Sequence, residues 1–116
     1  MKTVIKNRCK EPIKVVIRDK DECLSSLTSA NLSSRLSTAL GRFSGRIREA
    51  HLSLYGGRDV RSRVAICLEN WNVMIVEAQH RSALVAASRA IEKAQRGMAR
   101  SVRRRRRAAQ ATGVGV

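Results

Sequence analysis

The sequence predicts a two-layer α+β sandwich with the element order β-α-β-β-β-α. Three features carry that prediction. A leucine-rich stretch near the N-terminus has helical spacing. Three short segments in the middle alternate apolar and polar residues. A closing stretch returns to helical periodicity, with two sharply different faces. The chain has 116 residues, room for one domain of ordinary size. It is 43% hydrophobic but holds only one Phe, one Tyr and one Trp, so its core must be built from Leu, Ile, Val and Ala.

Residues 1–12 are read as an N-terminal extension, 13–107 as the domain and 108–116 as a flexible tail of small residues. Ile13–Arg18 is short and β-branched, follows Pro12, and reads as the first strand. Helical spacing begins at Leu24, and Leu24, Leu27, Leu32, Leu36, Ala39, Leu40 and Phe43 are assigned to one face. Ser25 or Ser26 is placed to cap this helix and Gly45 to end it. Its many serines lower intrinsic propensity, so the helix must rely on packing.

In Ile47–Tyr55, Ala50, Leu52 and Leu54 alternate with Glu49, His51, Ser53 and Tyr55. Gly56-Gly57 breaks that strand, and Val60–Leu68 resumes with Val64, Ile66 and Leu68 on one face. A turn at Glu69–Asn72 leads to Val73–Ala78, completing an antiparallel meander. One apolar face per strand implies a sheet covered on one side, and both helices must pack there.

The last helix, Ser82–Arg107, is the most informative segment. Leu84, Ala87, Ser88, Ile91, Ala94, Met98 and Val102 form one stripe, and Arg89, Lys93, Arg96, Arg100, Arg103, Arg104 and Arg107 form the opposite one. Glu92 alone interrupts the basic side, from its flank. A face of one sign costs self-repulsion, and an anionic partner explains it best. Complementing the helix dipole accounts for one or two arginines, not for the run Arg103–Arg107 plus a stripe upstream. The whole chain agrees: 24 Lys+Arg against 9 Asp+Glu give a net charge of +15. Nucleic acid is the expected partner for that balance. Further arginines stand at Arg42, Arg46 and Arg48 and at Arg58, Arg61 and Arg63.

Aromatic side chains are too few for a sheet that stacks bases; Trp71 is read as a partly buried turn residue, and only Tyr55 falls on the open sheet face. The expected mode is therefore recognition of phosphate and backbone shape. No enzyme is expected. His51 and His80 lack a matching carboxylate or nucleophile motif, and Cys67 reads as a small packing residue in a strand. Gly56-Gly57 is a hairpin signal without phosphate-loop spacing. Cys9, Cys23 and Cys67 are odd in number and have no CxxC spacing, so neither disulfides nor a metal site is expected, and no cofactor. No run approaches the roughly 18 apolar residues of a membrane span, and lysines and an arginine interrupt Met1–Lys10, so a cytoplasmic protein is expected.

Two segments carry a family resemblance: Ala39–Ser53 (ALGRFSGRIREAHLS) and Val73–Arg103 (VMIVEAQHRSALVAASRAIEKAQRGMARSVR). Together with Gly56–Leu68 they resemble the ribosome hibernation-promoting factor family, also called ribosome-associated inhibitor A or sigma-54 modulation protein. The resemblance implies a domain similar to double-stranded-RNA-binding folds. It implies binding in the small-subunit channel used by messenger and transfer RNA, which silences idle ribosomes under stress. Carried over by position, Arg89, Lys93, Arg96, Arg100 and Arg103 would contact ribosomal RNA, with Arg42 and Arg46 beside them and Arg104 and Arg107 extending the stripe.

The implied partner is the small ribosomal subunit and its RNA, bound by a monomer without a small-molecule substrate. The Gly56–Arg61 loop is shorter than in many relatives, and Ser82-Ala83-Leu84 replaces a more usual acidic residue and tyrosine. The second domain with which long members pair ribosomes is not in this sequence, so pairing is not implied. The competing reading is a general basic RNA- or DNA-binding protein. A membrane-surface helix fits poorly, because the apolar stripe lacks bulky aromatic anchors.

Overall fold

The computed structural model describes residues 13–115, with side chains described through Arg104. Four strands, β1 (Lys14–Asp19), β2 (Ile47–Tyr55), β3 (Val60–Leu68) and β4 (Val73–His80), form one sheet in the order β1-β2-β3-β4. Helix α1 (Ser26–Leu40) follows β1 and helix α2 (Ala83–Gly115) follows β4. β1 runs parallel to β2, as a strand joined to its neighbour through a helix can, and β2, β3 and β4 form the antiparallel meander. The order is the predicted β-α-β-β-β-α, a four-stranded sheet with two helices.

The core lies between one sheet face and the two helices. Ala50, Leu52 and Leu54 of β2 and Val64, Ile66 and Leu68 of β3 meet Leu32, Leu36 and Leu40 of α1 and Ala87, Ile91, Ala94 and Met98 of α2. Ala86 and Ala90 are fully buried as well. This run of alanines, together with Gly97, where a Cβ would come within 3.1 Å of the Met74 sulfur, lets α2 sit low on β3 and β4. Ser62 is the one buried polar residue among those described, and it is satisfied: its hydroxyl lies 2.6 Å from the carbonyl oxygen of Ala86.

Several boundaries and facings differ from expectation. β1 begins and ends one residue later, and β4 continues to His80. Ser25 is the cap of α1, its hydroxyl accepting from the Thr28 amide. The α-helix stops at Leu40 rather than Gly45, and a 3-10 turn, Gly41–Arg46, tightens the chain so that Phe43 reaches the core. Leu27 is 75% exposed. It is five residues before Leu32, about 140° around the helix from the buried Leu32–Leu36–Leu40 line. Leu84 is also exposed, in the first turn of α2. The α2 backbone does not stop at Arg107 but continues to Gly115. Ala108, Ala109 and Ala111 are strong helix formers, and extending an existing helix is far easier than nucleating one.

Candidate nucleic-acid interface

Arg89, Lys93, Arg96, Arg100, Arg103 and Arg104 are all exposed on α2. By helical rotation they occupy an arc of about 100°, facing away from Ile91. The same geometry makes both properties: the buried alanines fix which side of the helix lies on the sheet, and the basic residues then have only solvent to face. The Arg107 side chain lies outside the described residues, although its backbone is helical.

Two of these side chains are held in place. Lys93 Nζ donates to the backbone carbonyl of Glu77 on β4 at 2.8 Å, using one of its three protons and leaving the others for a ligand. Arg96 pairs with Glu92 one turn back at 3.3 Å, a largely exposed contact of little energetic weight. Arg35, which the sequence did not single out, donates to Ser88 Oγ at 3.0 Å and ties α1 to α2.

Arg42 and Arg46 join the stripe at its C-terminal half. They sit on the 3-10 turn, and with Phe43, Ala99, Val102 and Arg103 they line a cleft of about 440 Å³. Three guanidinium groups surround this cleft, and among the described residues no carboxylate lines it. Phe43, Ala99 and Val102 add apolar contact to its lining, and Arg42 lies over the Phe43 ring at 4.7 Å. Planar guanidinium forks around an acid-free opening are suited to phosphate oxygens. The 3-10 turn is in turn fixed to the end of the sheet, because the Glu69 amide donates to the Arg46 carbonyl at 2.9 Å.

The other basic group does not assemble as one patch. Arg63 pairs with Glu77 across β3 and β4 at 3.1 Å. Arg48 instead lies over the Trp71 indole, 3.9 Å from its centroid. Trp71 is 74% exposed, not partly buried as its turn position suggested. Its neighbours Val73 and Ile75 are exposed on the open sheet face.

On that face the strands also bring together Glu49, His51 and Cys67, whose donor atoms lie within 4.8 Å of one another. Residues two apart on one strand plus a neighbour on the next strand make such a group, and linear spacing gives no sign of it. Glu49 and His51 are already hydrogen-bonded to each other at 2.8 Å, and Lys14 is 3.9 Å from the Glu49 carboxylate. This bond, with help from His51, Lys14 and Arg48 charge, holds the Glu49 carboxyl below its usual range. The group therefore has an internal partner for each charged atom, and the cations beside it oppose a further one. Of the other candidate nucleophiles, Cys23 has its thiol pushed up by burial and by nearby Asp19. No helix among the described residues is long and apolar enough to cross a membrane.

Fold and surface together define a small two-layer α+β domain with one cationic flank, assembled from a long helix and the turn preceding β2. No protein-family model and no curated protein matches the sequence. Among solved structures, the chain is similar to the N-terminal domain of Protein Y from Thermus thermophilus. The two superpose with a TM-score of 0.61 at 16% identity, over 78% of this chain and 98% of that one. The likeness is one of fold.

Proposed function

We propose that this protein is a ribosome-associated translation inhibitor of the hibernation type, cytoplasmic, acting by occupancy rather than by chemistry. In this reading the basic face of α2 lies against ribosomal RNA in the decoding channel of the small subunit. Arg89, Lys93, Arg96, Arg100, Arg103 and Arg104 take backbone phosphates, Arg107 continues the stripe, and Arg42 and Arg46 grip a phosphate at the cleft. The observation that carries the reading is the meeting of Arg42, Arg46 and Arg103, with no carboxylate among the described residues that line the cleft, at the end of the basic helix face. It is supported by the fold shared with the Protein Y N-terminal domain, which is the fold the family resemblance of the sequence implies.

Sedimentation of tagged protein through sucrose gradients with ribosomes from starved cells tests it. The protein is expected in small-subunit and whole-ribosome fractions at low salt, and to leave them as salt rises. With about six phosphates neutralised, log affinity for duplex RNA falls with log salt at a slope near −5. Absence from those fractions at low salt contradicts the reading. Equal affinity for ribosomes, random duplex RNA and DNA would favour a general nucleic-acid-binding protein instead.

A further inference from the structure

Trp71 is the only tryptophan of the chain, and it stands largely in solvent at the β3–β4 turn. Three independent features keep it there. Its φ of 71° is in the left-handed region, which a bulky side chain rarely enters. The turn is hydrogen-bonded on both sides of it: the Trp71 amide donates to the Leu68 carbonyl at 3.0 Å, and the Asn72 amide to Asn70 Oδ1 at 3.1 Å. Finally, the pairing of β2 with β3 shifts register between Ile47 and Glu49. Arg48 is the extra residue of that bulge, and its guanidinium is the group that covers one face of the indole. With Arg48 on one side and 74% of the residue still exposed, the other face of the ring is open.

The surroundings identify what would cover it. The turn carrying Trp71 is bonded to the 3-10 turn through Glu69 and Arg46, so the indole stands at the same end of the sheet as the Arg42–Arg46–Arg103 cleft. A second copy of a chain with a net charge of +15 is repelled from such a surface. A polyanion that carries flat apolar rings fits both parts.

We propose that Trp71, backed by Arg48, is a stacking site for an unpaired RNA base, whose flanking phosphates lie on Arg46 and Arg42. This inference rests on the RNA-binding reading above and adds to it a preference for single-stranded or bulged RNA next to duplex. Stacking on an exposed aromatic is sequence-tolerant, since every base has a π-face, so the site selects unpaired bases rather than a particular one.

The lone tryptophan makes its own reporter. Protein titrated with a single-stranded oligouridylate is expected to lose indole fluorescence, whereas a blunt RNA duplex or heparin, bound through the arginines, leaves it nearly unchanged. Trp71→Asn removes the ring while suiting the left-handed backbone, so the variant folds as the parent does. Its affinity for the oligouridylate should drop roughly 5- to 150-fold, the range for one stacked base, with duplex affinity unchanged within about twofold. Trp71→Phe should recover part of the loss. Equal quenching by duplex and heparin, or a Trp71→Asn variant that binds oligouridylate like the parent, overturns the proposal. Wild-type protein that binds no RNA at all overturns the underlying reading. Retained duplex binding without base-dependent quenching overturns only the stacking site.

Discussion

Ser62, near the start of β3, points its hydroxyl at the carbonyl oxygen of Ala86, 2.6 Å away at the end of the first turn of α2. The Ala78 carbonyl of β4 lies further off, at 3.2 Å, and the single hydroxyl proton serves the shorter contact. One buried side chain thereby ties the start of α2 to β3 and adds to the alanine packing that turns the basic stripe toward solvent. Ser62→Ala should lower stability by about 1–2 kcal/mol, since a buried polar contact is lost while Ala86 keeps its helical bond. Denaturant unfolding measures this, and RNA affinity per folded molecule should stay as it was.

Ile91 and Leu84 both belong to the apolar stripe read from the sequence, yet only Ile91 is buried. Ile91→Asp should abolish cooperative unfolding, because it places an unpaired charge in the core. Leu84→Asp should shift stability by no more than about 0.5 kcal/mol, since it changes an exposed residue in the first turn, where a carboxylate complements the helix dipole. Thermal melts of the two variants side by side separate the true core line from the apparent one.

Those two residues show what was legible in the sequence. Strands β2 and β3 were read with their boundaries because one face of each is buried and the other wet, and alternation records that directly. The stripe of α2 was read for the same reason. Helical spacing alone does not say where along a helix the sheet ends, so Leu84 lies on the stripe of α2 and is still exposed, whereas Leu27 stands about 140° around α1 from its buried line. The end of α1 leaves no mark in the sequence, because the 3-10 turn keeps nearly helical spacing while it brings Phe43 inward. The exposure of Trp71 is not legible in its turn, because its partner Arg48 is a bulged residue on a different strand. The meeting of Glu49, His51 and Cys67, likewise, depends on strand register that no local pattern records.

Glu49 gives a pH dependence with a definite sign. The hydrogen bond from His51 holds its folded pKa below the unfolded value. The stability it contributes is therefore present above the ordinary carboxylate range and is lost as pH falls through the lowered folded pKa. Carbon-detected NMR titration should find the Glu49 midpoint below that in a His51→Ala variant. Equal midpoints would show that His51 is not the cause.

Arg42 and Arg103 come from different elements but line one cleft. If they share a phosphate, Arg42→Glu and Arg103→Glu should weaken RNA binding by less in combination than the sum of their separate effects. A double-mutant cycle on duplex RNA affinity reads the coupling directly, and strict additivity would place them on separate phosphates.

In the proposed function the exposed basic face of α2 meets ribosomal RNA. The most direct test is the affinity of an Arg89→Glu, Arg96→Glu variant for purified small ribosomal subunits, measured beside the parent at low salt. Both positions are exposed, so the variant should keep its stability within about 1 kcal/mol. Subunit affinity should fall sharply and its salt dependence should become shallower. A folded variant that binds small subunits as tightly as the parent would contradict that role of the helix face.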